Sequence, residues 1–361
     1  MSDSSKLFSP ANLGSISLRN RIVMAPMTRS RAIGNVPNEL MAEYYGQRAS
    51  AGLIITEGTS PAPEGLGYAR IPGVFTDAHV TGWKLVTDAV HARGGKIFVQ
   101  LMHTGRVGHR DNLPAGAKLL GPSAVPLPGE MYTDTKGPQP FETAEAMSAA
   151  EVEAAIESFV HASRTAIRAG FDGVELHGAN GYLIEQFLHP HTNRRDDAWG
   201  GDVSRRHAFA LEVARRASAA IGAERVGIRL SPYGVFNDTP PYDGIDASYF
   251  ALTESLAKTN IAYVHLVNHS SMGAPAVPAS LIEGIRSRWK NTLILSGGYD
   301  KERAEKDLAS GLGDLVAFGR PFLANPDLPA RLANGVALQA PDFSTFYTPG
   351  PKGYTDYPTA T

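Results

Sequence analysis

The 361 residues carry 34 Lys and Arg against 36 Asp and Glu, so no global field recruits nucleic acid or an anionic membrane, and a small molecule is the expected partner. Hydrophobic residues make up 43% of the chain, enough for a well-buried core, yet no stretch approaches the roughly 20 apolar residues of a membrane span. Cysteine is absent, which excludes disulfides, thiolate-ligated zinc or iron–sulfur centres and a catalytic thiol; the start, MSDSSKLFSP, lacks the basic and apolar regions of a secretory leader, and a cytoplasmic location is expected.

In chain order, residues 7–19 place Pro and Gly between short alternating runs and predict a hairpin that caps one end of the main fold. Residues 21–25 (RIVMA) read as the first buried strand, followed by Pro26, Met27 and Thr28 and a helix over 38–48. A second strand at 53–56 ends in the turn Glu57, Gly58, Thr59, and an amphipathic helix over 77–93 stops at Gly94 and Gly95. The third strand, 96–101, carries Gln100 near its end and opens into a long Pro- and Gly-rich insertion reaching about Met147. Ser148 and Glu151 have the spacing of a capping box for a helix to about Ala169.

The stretch 170–201 follows, GFDGVELHGANGYLIEQFLHPHTNRRDDAWGG. Its strand, 173–176, runs straight into His177, Asn180 and Tyr182, and Gly178 and Gly181 let the backbone turn so that three hydrogen-bond donors can face one ligand. Further strands are predicted at 226–231, 262–267, 292–296 and 315–318, with helices at 204–221, 246–259, 278–289 and 301–310 and a last one after Pro329. Eight strands alternating with helices predict an α/β fold, a (β/α)8 TIM barrel formed by the whole chain, 1–361, as one domain; a doubly wound sheet is the rival.

In such barrels the chemistry gathers at the strands' C-terminal ends. SGGYD (296–300) and FGRPF (318–322) follow the seventh and eighth strands with glycines that can bare backbone N–H groups to a phosphate, and Arg320 adds a charged fork. Gln100 and Thr28 suit the edge of a flavin ring. Arg229, inside a strand, pairs either with an anion in the barrel or with a cofactor. The pairs His189/His191 and His103/His109 lack carboxylates at a metal spacing, so no metal is expected. Asn193, Arg194 and Arg195 read as loop braces, Trp83 and Trp289 as core.

With NRIVMAPMTRSRA, TEGT, QLMHTGRVG, GFDGVELHGANGYLIEQFL, SGGY, FGRPFLANPDLP and GYTDYP in order over nearly the whole length, the chain resembles the Old Yellow Enzyme family of FMN-dependent ene-reductases, in the branch of N-ethylmaleimide and pentaerythritol tetranitrate reductases. The resemblance implies non-covalently bound FMN contacted by Pro26, Met27, Thr28, Gly58, Gln100, His177, Asn180 and Arg229. Its phosphate would be held by Gly297, Gly298, Phe318, Gly319 and Arg320. It implies that His177 and Asn180 bind the substrate oxygen, that Tyr182 donates the proton, and that Tyr347 borders the substrate. NADPH or NADH would supply hydride in a ping-pong reduction of enones, enals, maleimides and nitroalkenes, extending to nitro compounds and nitrate esters, with a monomer as the expected state.

One departure stands out. Met102 replaces the branch's tryptophan, and since Gln100 two residues earlier is assigned to the flavin, Met102 is expected on the same face, toward substrate, unless it fills the barrel wall. A flavin-free aldolase or isomerase using His177 and Tyr182, and a flavin reservoir without turnover, are the competing functions.

Overall fold

The structure, a computed structural model, describes residues 5–360. β1 (Ala11–Leu13) and β2 (Ile16–Leu18) form the antiparallel hairpin expected at the N-terminus, and Leu13 and Leu18 pack onto the barrel interior beside Val23, Leu53 and Leu315. The barrel begins with β3 (Ile22–Met24), α1 (Glu39–Gln47), β4 (Leu53–Thr59), α2 (Asp77–His91) and β5 (Ile97–Leu101). Asn38 caps α1 by accepting from the Met41 N–H, and Thr76 with His79 forms a capping box on α2. The predicted turn at 57–59 is instead part of β4, whose pairing with β5 shifts register between Ile55 and Gly58. Such a bulge lets one strand carry extra residues while still pairing, so Glu57 to Thr59 stay in the wall instead of leaving it.

The insertion after β5 is less bare than its composition suggests. β6 (Leu120–Gly121), β7 (Glu130–Thr133), β8 (Gly137–Pro140) and β9 (Glu145–Ala146) give it a hairpin, β7 with β8, and a short parallel pair, β6 with β9. Then α3 (Ala149–Arg168), opened by the Ser148/Glu151 capping box, leads into β10 (Gly173–Gly178). The rest runs α4 (Leu183–Leu188), α5 (Val203–Ile221), β11 (Val226–Leu230), α6 (Ile245–Ala257), β12 (Tyr263–Val267), α7 (Ala279–Arg288), β13 (Thr292–Ser296), α8 (Lys301–Ala309), β14 (Leu315–Phe318), α9 (Arg320–Ala324) and α10 (Leu328–Asn334).

Eight strands, β3, β4, β5 and β10 to β14, close in sequence order with β14 beside β3, each pair parallel. The barrel expectation therefore holds, and the doubly wound rival, which has open edges, does not. Successive side chains alternate between two apolar clusters. Ile22, Ile54, Val99, Val174 and Val264 face the helices, whereas Val23, Leu53, Phe98, Tyr263 and Ile294 fill the interior. Gly227 makes room for that filling, since a Cβ there would lie 2.2 Å from the Tyr263 ring. Trp83 and Trp289 are fully buried in the outer cluster.

Candidate active site

At the C-terminal ends of the barrel strands lies a cavity of about 490 Å³. Its wall contains Pro26, Met27 and Thr28 after β3, Gly58 of β4, Gln100 and Met102 at the end of β5, and His177, Asn180 and Tyr182 at and after the end of β10. Arg229 of β11, Gly297 and Gly298 after β13, Phe318, Gly319 and Arg320 at β14, and Tyr347 of the C-terminal segment complete the set singled out in the sequence. Reading the motifs also left gaps: Asn268, His269, Ser271 and Met272 line the same cavity from the segment after β12.

Beneath the cavity, buried Glu175 collects three donors: Gln100 Nε2 at 2.8 Å, Tyr263 Oη at 3.1 Å and His265 Nδ1 at 2.8 Å. Because Gln100 spends its N–H on Glu175, its amide oxygen is the end left for a ligand. Glu175 and His265 escaped the sequence reading, although a polar residue on the inward face of an apolar strand is the signal that marked Arg229.

Arg229 itself is 7% exposed, and its Nε is buried without a hydrogen-bond partner among the described residues. The salt bridge considered for it does not form there, and burial lowers its pKa. A buried cation left unpaired is costly unless a ligand supplies the acceptors, so the guanidinium points to an acceptor-rich or anionic group in the cavity.

Beside Arg229, on the neighbouring strand, stand His177 near the end of β10 and the residues that follow that strand. The Ala179 N–H donates to His177 Nδ1 at 3.3 Å, and burial together with Arg229 holds the imidazole pKa well below its usual value. A neutral ring whose Nδ1 accepts carries its proton on Nε2, the nitrogen left free to donate. Asn180 sits at φ 59° with its Oδ1 engaged by His269 Nε2 at 2.7 Å, which leaves its amide N–H2 unspent. The Tyr182 hydroxyl lies 3.0 Å from that of Tyr68, and burial raises its pKa, so it remains a protonated acid at neutral pH. Tyr68, arriving on the loop between β4 and α2, carried no recognisable signal in the sequence.

Opposite them the backbone is shaped by glycine. Gly297 and Gly298 have φ 114° and 64°, and a Cβ at Gly297 would lie 1.9 Å from the Asn268 carbonyl oxygen. This bare turn and Gly319, just ahead of α9, leave backbone on the cavity wall where a phosphate could approach closely. Arg320 lies exposed at the rim with its guanidinium 5.7 Å from the centre of the Phe343 ring.

Met102 lies one residue past the end of β5, its N–H bound to the Thr59 carbonyl. It lines the cavity and is also 1% exposed, packed with Leu66 and Ile71 and against Tyr182. Its thioether fills the space a side chain at Gly58 would need.

The remaining candidates brace loops. His189 Nε2 reaches the Pro240 carbonyl oxygen, His191 Nε2 reaches Asp238 at 3.1 Å, His103 Nδ1 accepts from the Gly105 N–H, and Asn193 Nδ2 donates to the carbonyls of Phe187 and Trp199. Arg195 binds Asp197 and the Pro122 and Met147 carbonyls, and the Arg194 N–H donates to Ser123 Oγ. No group of three possible metal ligands occurs among the described residues.

A planar ring rich in acceptors with a phosphate tail fits this chemistry: an unpaired arginine and a free amide oxygen on one side, a glycine cradle on the other. The family model described as NADH:flavin oxidoreductase / NADH oxidase matches residues 6–339. The chain belongs to that family. It is 40% identical to a probable flavin mononucleotide-dependent alkene reductase of Leishmania infantum, over 98% of this chain and 97% of the relative. Two solved structures are closely similar: morphinone reductase in complex with tetrahydroNAD (44% identity, TM-score 0.94, 99% of this chain and 98% of that one) and the Old Yellow Enzyme homologue from Zymomonas mobilis (41%, TM-score 0.94, 98% and 99%). This protein is thus an Old Yellow Enzyme homologue, a flavin oxidoreductase whose cofactor is FMN and whose reductant is a nicotinamide. A flavin-free aldolase or isomerase is ruled out by that membership.

Proposed function

We propose that the protein reduces C=C bonds conjugated to a carbonyl, imide or nitro group, taking reducing equivalents from NADPH or NADH in a ping-pong cycle. The supporting observation is the convergence, in one cavity, of two donors without partners among the described residues, His177 Nε2 and Asn180 Nδ2, with the protonated Tyr182 hydroxyl. Bound FMN supplies the hydride that such an alkene accepts at its β-carbon. The protein's share is electrostatic and acid–base. Thr28, Gln100 and Arg229 would hold the ring, with Pro26, Met27 and Gly58 beside it, and Arg229 would supply the positive charge that favours a ring carrying negative charge. Gly297, Gly298, Phe318, Gly319 and Arg320 hold the phosphate.

As hydride arrives, negative charge grows on the substrate oxygen. His177 and Asn180 donate to it, and because the imidazole is neutral it does so as a fixed dipole with no proton lost to the substrate. Tyr182 then gives its proton to the α-carbon, with Tyr68 hydrogen-bonded behind it. Met102 and Tyr347 border the substrate. Nitro compounds and nitrate esters present similar acceptor oxygens and are included in the proposed range.

The motif set supports a place in the N-ethylmaleimide and pentaerythritol tetranitrate reductase branch, acting as one FMN-binding domain and as a monomer in the cytoplasm. No helix among the described residues is long and apolar enough to cross a membrane. The test is a panel of enones, maleimides and nitroalkenes assayed with both nicotinamides. Saturated products with consumption of NADPH or NADH are expected. Binding of flavin without product from any activated alkene would favour the reservoir function instead.

A further inference from the structure

Asn180 is fixed at every point but one. Its N–H donates to Ser231 Oγ at 2.9 Å, the Ser231 hydroxyl donates to buried Glu185 at 2.8 Å, and its carbonyl accepts from Asn237 Nδ2 at 2.7 Å. These contacts hold the backbone in its left-handed conformation and aim the side chain at the cavity. They leave open which end of the amide faces the ligand. The two ends have nearly the same shape and opposite chemistry, N–H2 a donor and Oδ1 an acceptor.

His269 is the residue that decides. Its Nε2 lies 2.7 Å from Asn180 Oδ1, and since Oδ1 can only accept, Nε2 donates. The imidazole is itself held in place, edge-on to Phe236 at 4.6 Å between ring centres, while the His269 backbone carbonyl accepts the Met272 N–H at 2.8 Å. Burial and the nearby Arg229 charge lower its pKa to about 3, so it is a neutral donor throughout the working range.

We propose that His269 is a positioning residue that turns the Asn180 amide N–H2 into the cavity, and thereby makes the site prefer ligands presenting an acceptor oxygen over ligands of the same shape presenting a donor. The inference rests on the function proposed above, in which His177 and Asn180 bind the substrate oxygen. Without the His269 N–H the amide is free to turn over, and Oδ1 would then face, and repel, the oxygen it should stabilise.

The probes are 4-chlorophenol, which offers an oxygen acceptor as its phenolate, and 4-chloroaniline, which offers N–H donors in the same shape. Each is titrated into the FMN-loaded protein and followed by the flavin absorption spectrum. His269→Met keeps a side chain of similar volume but no donor, and the ratio of phenol to aniline affinity should fall at least tenfold. His269→Gln keeps a donor, and should restore most of the ratio. An unchanged or increased ratio in His269→Met overturns the proposal, as does an equal loss for both ligands or a failure of both variants to retain FMN, which would mark a structural role only. The control is His177→Ala with Asn180→Ala: if that variant binds 4-chlorophenol as tightly as the native protein, the oxygen-binding assignment itself is wrong. If it loses the phenol while His269→Met keeps the native ratio, only the inference about His269 fails.

Discussion

Along five barrel strands the inward face changes character within one two-residue step, about 6.6 Å of strand. Phe98 is followed by Gln100, Gly173 by Glu175, Gly227 by Arg229, Tyr263 by His265 and Ile294 by Ser296. The lower layer is filled by apolar rings and branches closed off by the hairpin; the upper is a polar floor open to the cavity. Stability and chemistry thus occupy adjacent layers of the same strands, and each should be breakable without the other.

The largest effects are expected from one residue of the lower layer and one that stands above the polar floor, on the segment after β10. Phe98→Ala removes a buried ring from the lower layer and should cost about 3–5 kcal/mol, read as a lowered unfolding midpoint in urea, with the flavin spectrum of the folded protein unchanged. Tyr182→Phe leaves the lower layer intact and should slow reoxidation of the flavin by enones about 10²–10⁴-fold while its reduction by NADPH is little changed. Equal slowing of both halves would remove Tyr182 as proton donor. Arg229→Met comes next: FMN affinity should fall about tenfold or more in fluorescence titration, since charged hydrogen bonds contribute about 1.5–3 kcal/mol. The apoprotein should melt no lower than the native one, because the variant carries no unpaired buried cation.

Eight short apolar runs alternating with helical patterns made the closed barrel legible in the sequence, and strand-end positions made most of the cavity wall legible too, whereas the residues that fill the lower layer were not told apart from those facing the helices. What stayed hidden is partly geometric. The bulge that keeps Glu57 to Thr59 in β4 depends on pairing with β5, and no local pattern distinguishes it from a turn. Tyr68 and His269 reach the site from loops, where neither helical nor strand periodicity applies. Met102 shows the limit of face arguments: it does line the cavity with Gln100, but it lies past the strand end and fills the wall as well.

That double position sets a smaller prediction. Met102→Trp should lower turnover of bicyclic or β-substituted enones more than that of cyclohexenone, and overpacking should cost about 1–3 kcal/mol of stability. A lowered melting temperature with an unaltered substrate-size profile would leave Met102 as wall alone. The smallest expected effect is one of pH. Burial raises the Tyr182 pKa, so the protonated form persists where an exposed tyrosine, with a pKa of about 10, is half ionised. Reoxidation by enones should therefore stay level between pH 8 and 10, and the roughly twofold loss that half-ionisation of an ordinary tyrosine gives at pH 10 would contradict the buried acid.

The most direct test of the proposed reaction is anaerobic stopped-flow mixing of the FMN-loaded, fully reduced protein with cyclohexenone. The account predicts return of the oxidised-flavin absorbance at a rate that saturates with enone, with cyclohexanone formed in equal amount to flavin. Flavin that stays reduced until oxygen is admitted would contradict it.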